Sequence, residues 1–458
     1  MAYFDNAATS YPKPEEVYSF MDRFYRDHGG SVGRGNYDLA NTAKGIIDET
    51  RCLLQDLLHC PAKKVVFTPT ATIALNMIIQ SIVQSGIRTV YISPFEHNAV
   101  TRTLHHFERM GRIKVIELTV SECLEYDMAR IRYQFDATRP DLVVVSHASN
   151  VIGLVAPVED IFALSKEYGA ITVVDMAQTA GLIELNVGLE TIDFAVFAGH
   201  KTLLGPTGIS GFIMKPNFNL SPILFGGTGY DSANQDMPES LPERYEMGTL
   251  NIAGIAGLNA ALKWIKGQSV GNLYTEEEKR RNKLLALLYN YDFIKVIGVV
   301  EGHKYVGIVS CLIDGISSDS AGSIFSERGI SVRTGLQCAP RAHQFLGTYP
   351  SGTIRFSVNS LTSDKEFDEK YLELSEKLKK SEKYKGTLNQ GASQFLDAIE
   401  FVLSVYRQTE IIYVYAHLKN DQDTGNTEYQ ALYARASSLF SKVSEAVSWF
   451  EPEILQLS

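Results

Sequence analysis

The stretch that decides the fold is residues 193–211, DFAVFAGHKTLLGPTGISG. Its apolar run, 194–198, predicts a short buried strand that turns at Gly199 and presents His200 and Lys201. A loop with three glycines and a proline follows. Lysine forms Schiff bases, and burial lowers its pKa enough for it to act as a nucleophile and a base. Taken alone, a lysine in a surface loop is the simpler interpretation, and a second stretch is needed to decide.

That second stretch lies upstream at residues 170–178, AITVVDMAQ. Its apolar, β-branched run predicts a buried parallel strand that ends in the carboxylate of Asp175. In open α/β sheets, ligands bind outside the carboxyl ends of the strands, so Asp175 and Lys201 can meet one ligand. Pyridoxal phosphate needs such a pair, because a lysine holds its aldehyde and an aspartate keeps its pyridinium nitrogen protonated.

In the order of these stretches the sequence resembles the class V (fold type I) pyridoxal-phosphate enzymes, specifically the cysteine desulfurase and selenocysteine lyase family. The resemblance covers about residues 3–378. It implies an α/β fold in which residues 1–255 form a large, mainly parallel-sheet domain that binds the cofactor, with the N-terminal segment packed near the site. Residues 256–382 would form a smaller α+β domain that carries a catalytic cysteine.

The composition is that of an ordinary soluble globular protein. The chain has 458 residues, 45% hydrophobic and 21% charged, with a net charge of −10. This charge argues against nucleic acid as a partner. Because there is no apolar run of about 18 residues and no signal-peptide start, we expect no membrane segment. Five cysteines without a CxxC pair indicate neither a metal site nor a disulfide framework, so we predict a cytoplasmic protein without a metal.

Residues 68–72, TPTAT, open a predicted helix. Hydroxyls and free N–H groups at a helix N-terminus form an anion site, and N-capping by Thr70 is compatible with that role and with a purely structural one. By the resemblance, Thr72 binds the cofactor phosphate with the backbone of Ala71 beside it. His200 would be a further phosphate contact.

Other polar residues match the family's contacts to the cofactor ring. His97 follows the predicted strand 90–93 and, by the resemblance, stacks on the ring and assists proton transfers; a lone histidine is otherwise more often structural. Asn150 and Gln178 correspond to hydrogen-bond donors to the phenolic oxygen, and Asn150 also contacts the substrate. Asp175 corresponds to the partner of the pyridinium nitrogen.

Two further positions bear on the phosphate. The family often carries a hydroxyl residue two positions before the histidine that precedes the lysine, whereas this chain has Ala198. One phosphate hydrogen bond is therefore missing or replaced, and a charge-assisted hydrogen bond contributes about 1.5–3 kcal/mol. In the glycine-rich segment 226–229, Thr228 matches a residue that reaches the phosphate in the neighbouring subunit, which implies a homodimer.

Residues 331–340, SVRTGLQCAP, contain the pattern R-x-G-x-x-C-A-P, which marks the family members with a short catalytic loop. Cys338 would be the nucleophile; a buried apolar cysteine is the alternative. Arg333, Arg341 and His343 lie close in sequence, and positive neighbours favour a thiolate. The other four cysteines fall in predicted helices or strands and are interpreted as structural.

These matches imply a pyridoxal-phosphate-dependent cysteine desulfurase, which converts L-cysteine to L-alanine. Arg355 is expected to clamp the substrate α-carboxylate bidentately. Lys201 would remove the Cα proton, and Cys338 would take the sulfur as a persulfide for an acceptor protein. L-selenocysteine is an alternative substrate. Another class V activity, an aminotransferase or lyase, would not need Cys338, and an inactive scaffold that recruits a partner is a third hypothesis.

Residues 383–458 form an extension that the family normally lacks, and its pattern predicts three helices. The segment 413–424, YVYAHLKNDQDT, looks like part of the N-terminal helical region of oligoendopeptidase F, a zinc peptidase. The motif HExxH occurs nowhere in the chain, so we expect no peptidase activity. A gene fusion, a frame-shifted junction and a true accessory domain are all compatible with this sequence.

Overall fold

The computed structural model describes residues 2–30, 37–230 and 233–363, together with Ala434 and Ser437. The chain divides into two compact units, Met1–Phe367 and Asp368–Ser458. In the second unit, the two described residues are helical. The other residues of the predicted helical extension, 383–458, lie outside the described part, so that prediction and its resemblance to oligoendopeptidase F stay predictions.

The first unit alternates strands and helices. The strands are β1 (Ala2–Tyr3), β2 (Lys64–Thr68), β3 (Thr89–Ile92), β4 (Lys114–Glu117), β5 (Leu142–Ser146), β6 (Ile171–Asp175), β7 (Phe194–Ala198), β8 (Ser210–Met214), β9 (Ile294–Ile297), β10 (Ile308–Ile313), β11 (Ile330–Ser331) and β12 (Ile354–Ser357). The helices are α1 (Glu15–His28), α2 (Asp38–Leu57), α3 (Ala71–Gln84), α4 (Asn98–Arg109), α5 (Met128–Ala137), α6 (Val158–Glu167), α7 (Ile252–Gln268), α8 (Val270–Leu288), α9 (Ser318–Glu327) and α10 (Pro340–Phe345).

Seven strands form the main sheet, in the order β2-β8-β7-β6-β5-β3-β4. From β7 to β4 all neighbours run parallel, whereas β8 pairs antiparallel with both β7 and β2. The predicted α/β architecture is therefore confirmed. Its antiparallel member was not foreseen, because Ser210 and Gly211 look like the end of the glycine-rich loop and instead begin β8.

Both faces of the sheet are covered, as the apolar runs of its central strands require. On β7, Phe194 and Val196 belong to the buried cluster beneath α3, while Ala195 and Phe197 belong to the cluster on the opposite face with α7. This alternation follows from the two-residue period of a strand. Since the core fixes both faces, the polar residues that follow each strand are held at its carboxyl end.

A smaller antiparallel sheet, in the order β12-β10-β9, follows in the sequence. The N-terminal segment lies beside it, because Ser357 N donates to Phe4 O at 2.7 Å and β1 pairs in parallel with β11. The same segment also contacts the turn after β7, where Ser10 Oγ donates to Lys201 O at 2.6 Å. Residues 2–10 thus connect the small sheet to the lysine. Among the residues that the structure describes, no helix has the length and apolarity needed to cross a membrane.

Candidate active site

A cavity of about 400 Å³ opens where the carboxyl ends of β5, β6 and β7 face the N-terminus of α3. This volume is typical of a small-molecule site. All but one of the predicted site residues line it: Ala71, Thr72, His97, Asn150, Asp175, Gln178, His200, Lys201, Cys338 and Arg355. The sheet topology therefore brings together residues that are more than 280 positions apart, because 355 − 71 = 284.

Lys201 reaches the cavity through a tight turn after β7. A Cβ atom at Gly199 would lie 2.4 Å from Ile209 O, so only glycine permits the close approach of backbone that forms this turn. Burial lowers the pKa of Lys201 to about 8, and the nearby Asp175 carboxylate opposes the shift. A substantial fraction of the amine is therefore neutral near physiological pH, which is the form that attacks a carbonyl carbon or accepts a proton.

Asp175 ends β6 and is buried. Its Oδ1 accepts a hydrogen bond from Ala177 N at 2.9 Å. Burial raises the pKa of Asp175, and this hydrogen bond and the charge of Lys201 act against the rise. A buried carboxylate is costly unless it meets a cation, so a protonated pyridinium nitrogen is a suitable partner for Asp175.

The N-terminus of α3 offers hydrogen-bond donors to an anion. Thr70 caps the helix, since its Oγ1 accepts from Ile73 N at 3.2 Å. This confirms the capping interpretation, and it is compatible with anion binding because the residues of the first turn, Ala71 and Thr72, still line the cavity.

His200 is a second feature that is consistent with an anion-binding site. Within the described part of the chain, its Nδ1 is buried and has no hydrogen-bond partner. Burial lowers the pKa of His200 to about 4, with a further contribution from Lys201, so the ring is neutral. An unpaired buried ring nitrogen, on a residue that lines the same cavity as the first turn of α3, fits the phosphate group of pyridoxal phosphate.

His97 is the N-cap of α4 and has a defined tautomer. Its Nδ1 accepts from Ala99 N at 3.0 Å, so the proton of the neutral ring is on Nε2. Burial, Lys201 and Arg355 lower the pKa of His97 to about 4. The neutral imidazole can stack on a planar ring and can exchange one proton through Nε2.

The two predicted amide donors are already held by the backbone. Asn150 Nδ2 donates to Gln337 O at 2.6 Å, and Gln178 Nε2 donates to Ala7 O at 3.0 Å. An amide nitrogen carries two hydrogens, so each side chain keeps one for a ligand. These contacts fix the direction in which each amide points.

Arg355 occupies β12 and is buried. Its Nη1 donates to Asn150 O at 2.8 Å, and its Nη2 donates to Asp5 Oδ1 at 3.0 Å. Asp5 also accepts from Arg333 Nη2 at 2.6 Å. Sequence reasoning did not identify Asp5 as a site residue, although it belongs to the N-terminal segment expected near the site. Its carboxylate fixes the orientation of the guanidinium that is predicted to bind the substrate carboxylate.

Cys338 lies exposed in a loop with left-handed backbone, at φ +56° after φ +39° at Gln337. Such angles are unfavourable for residues other than glycine. Side-chain and backbone contacts hold the loop: Asn98 N donates to Cys338 O at 2.7 Å, and Gln337 Nε2 donates to Thr353 O at 2.9 Å. The thiol therefore lies at the cavity wall and remains open to solvent.

The basic residues that lie near Cys338 in sequence have other partners. Arg333 pairs with Asp5, and Arg341 pairs with Glu117 at 2.6 Å. Burial lowers the pKa of His343 to about 4, so its ring is neutral. These three residues were expected to favour a thiolate because they lie close to Cys338 in sequence, and the structure gives each of them another partner. The positive groups that interact with Cys338 in the structure include Lys201 and Arg355.

The remaining cysteines differ from one another. Burial raises the pKa of both Cys60 and Cys311 to about 12, which agrees with their structural interpretation. Cys52 is exposed on α2. Cys123 is exposed in a turn and not in the helix or strand expected for it.

Among the predicted site residues, all of which are described, only Thr228 does not line the cavity. Its Oγ1 accepts from Tyr230 N at 3.2 Å, within its own loop. Phe225 and Tyr230, on either side, are 74% and 57% exposed. The role of Thr228 in a neighbouring subunit stays a prediction.

Sequence reasoning also missed Glu96, a fully buried carboxylate behind the cavity wall. Its Oε1 accepts from Ser93 Oγ and from Ser146 N, both at 2.6 Å, and its Oε2 accepts from Ser146 Oγ at 2.8 Å. Ser146 pairs in register with Asp175. Burial raises the pKa of Glu96 to about 7 against these hydrogen bonds. The sequence carried no signal of this, because a glutamate beside a turn is usually exposed.

Replacing Glu96 by glutamine should weaken the dependence of folding stability on pH. Between pH 4.5 and about 7 the unfolded chain has released a proton that the folded protein keeps, so rising pH favours unfolding. Glutamine keeps the shape and does not ionise. The free energy of unfolding, measured with urea, should therefore fall between about pH 5 and about pH 8 in the wild type. In the variant this fall should be smaller, by up to about 3 kcal/mol. An equal fall in the free energy of unfolding for both proteins would contradict this prediction. The control Glu125→Gln, at an exposed site, should show the same pH dependence as the wild type.

Comparison with known proteins shows what the chain is similar to. A family model described as Aminotransferase class-V matches residues 2–369. A probable cysteine desulfurase from Pyrococcus abyssi is 32% identical over 83% of this chain and 94% of its own length. A probable cysteine desulfurase from Xylella fastidiosa is 29% identical over 80% and 88%. The apo structure of a cysteine desulfurase from Thermococcus onnurineus is similar with a TM-score of 0.75 at 29% identity, covering 82% of this chain and 94% of that one.

Proposed function

The chain belongs to the aminotransferase class-V family, whose cofactor is pyridoxal phosphate, and we propose that it is a cysteine desulfurase that converts L-cysteine to L-alanine. One observation carries the proposal: an amine of lowered pKa, a buried carboxylate and an exposed thiol line one cavity, at Lys201, Asp175 and Cys338. The amine and the carboxylate suit the cofactor, and the thiol suits a sulfur acceptor.

The residues of the cavity have separate roles in holding the cofactor. The first turn of α3, with Thr72 and Ala71, and His200 would bind the phosphate. Asp175 would hold the protonated ring nitrogen, His97 would lie on the ring face, and the second amide hydrogens of Asn150 and Gln178 would reach the phenolic oxygen. When bound, pyridoxal phosphate supplies an aldehyde carbon that captures amines and a ring that stabilises negative charge at the substrate Cα.

The substrate would be held and changed by three side chains. Arg355, oriented by Asp5, binds the α-carboxylate of L-cysteine. Lys201, as the neutral amine, removes the Cα proton. The Cys338 thiolate then attacks the substrate sulfur, so that an S–S bond forms while the Cβ–S bond breaks. Protonation of the carbon product gives L-alanine, and the sulfur remains as a persulfide on Cys338.

The exposed position of Cys338 supports the next step, transfer of the persulfide sulfur to an acceptor protein. We also propose a homodimer in which Thr228 contacts the phosphate in the partner subunit. Its position outside its own cavity and the exposed aromatic rings of Phe225 and Tyr230 beside it support such an interface. A cytoplasmic location, which would keep the thiol reduced, belongs to the same proposal.

Product analysis tests this function directly. With the cofactor bound, the protein should convert L-cysteine with a reductant to equal amounts of L-alanine and sulfide. A class V aminotransferase would instead convert L-cysteine to its keto acid and would need a second keto acid to accept the amino group, and that outcome would overturn the proposal. The same assay with L-selenocysteine, which should give L-alanine and selenide if accepted, compares the two substrates.

A further inference from the structure

Ser210 begins β8 at the edge of the sheet where the cavity opens. It lies opposite Ala198 on β7 and opposite Thr68 on β2. Residues directly opposite each other in an antiparallel pair point to the same face, with Cα atoms about 4.5–5.5 Å apart. Ser210 and Ala198 therefore share a face, and Ala198 lines the cavity.

That face is the one covered by α3. The next residues of the same parity, Phe212 on β8 and Val196 on β7, pack in the buried cluster with Leu75 of α3. Ser210 consequently lies on the face of the sheet that α3 covers, directly beside Ala198 at the cavity wall, and is itself buried behind that wall.

The hydroxyl of Ser210 lacks a partner. The residue is 1% exposed, and within the described part of the chain its Oγ makes no hydrogen bond. Ser165, which is also buried, is satisfied, because its Oγ donates to Ile161 O at 2.7 Å. An unsatisfied buried hydroxyl destabilises a fold, so its presence calls for a ligand or another explanation.

We propose that Ser210 donates a hydrogen bond to the phosphate group of the bound cofactor and so replaces the hydroxyl that is missing at Ala198. The hydroxyl would then be on β8 instead of β7, at the position directly opposite Ala198 and on the same face of the sheet. The phosphate would then be held by the first turn of α3 on one side and by His200 and Ser210 on the other. This inference rests on the proposed cofactor site and assigns it one more residue.

Replacing Ser210 by alanine should weaken the binding of pyridoxal phosphate by about tenfold to a hundredfold, the effect expected for one hydrogen bond to a charged group. Pyridoxal, which lacks the phosphate, should bind the wild type and the variant equally. Both affinities can be measured by absorbance titration of the cofactor-stripped chain. Adding Ala198→Ser to the variant should restore the affinity for pyridoxal phosphate, because it returns a hydroxyl to the same face.

A thermal melt separates this role from a structural one. Without cofactor, S210A should melt at or above the wild-type temperature, because the substitution removes an unsatisfied hydroxyl. With cofactor, it should gain less stability than the wild type. The control Ser165→Ala should lose stability in both states, because it removes a satisfied hydroxyl, and should bind pyridoxal phosphate as the wild type does. If S210A proves unstable, Ser210→Gly serves in the same titrations.

Two results would overturn the inference: an unchanged affinity of S210A for pyridoxal phosphate, or an equal weakening for pyridoxal. In both cases the wild type would still bind the cofactor. If the wild type itself bound none, the proposed cofactor site would fail instead, so the two failures are distinguishable.

Discussion

Replacing Lys201 by alanine should abolish the near-visible absorbance band that the cofactor gives when it is bound covalently to the protein. Among the described residues that line the cavity, Lys201 is the only lysine. Its lowered pKa provides the neutral amine that this bond requires. Turnover of L-cysteine should fall by at least about 10²–10⁴-fold, because the variant also loses the base for the Cα proton. Absorbance spectra before and after addition of L-cysteine measure both effects.

Lys13 provides a matched control. Burial lowers the pKa of its amine to about 8 as well, but Nζ donates to two backbone carbonyls, Ser10 O at 3.0 Å and His200 O at 3.2 Å. Lys13→Ala should therefore keep the band and its response to L-cysteine. If K13A lost the band while K201A retained it, the assignment of the cofactor lysine would be wrong.

The positions of Asp175 and Lys201 show how much of the site the sequence could predict. Apolar runs of five residues that end in polar ones indicated the parallel strands and placed Asp175 and Lys201 at one edge of the sheet. The structure confirms this, with β6 ending at Asp175 and β7 ending at Ala198. The hydrophobic periodicity is a local property of the chain. The rule that ligands bind at the carboxyl ends of strands then predicts which distant residues lie together.

Other features depend on long-range contacts that no local pattern contains. Asp5 meets Arg355 across 350 positions, and Glu96 is buried only because Ser93 and Ser146 surround it. The same limit applies to Arg341, which lies three positions from Cys338 in sequence but pairs with Glu117. Ser210 looked like a loop residue because a strand that begins with serine and glycine lacks the apolar start of β7.

Replacing Cys338 by serine should separate cofactor chemistry from sulfur transfer. The cofactor band and its change on addition of L-cysteine should remain, because Lys201, Asp175 and Arg355 are intact. Formation of L-alanine should fall to background, because a hydroxyl does not form the S–S bond that releases the carbon product. Since the side chain is exposed, the free energy of unfolding should change by no more than about 0.5 kcal/mol.

Mass spectrometry completes this test. Wild-type protein treated with L-cysteine and no reductant should gain one sulfur atom on Cys338, and C338S should gain none. Cys52→Ser removes another exposed thiol, on α2, and should leave both alanine formation and the mass gain unchanged. Wild-type turnover in C338S would favour an aminotransferase or another class V lyase, because those reactions use the amine and the carboxylate of this cavity and have no need of the thiol.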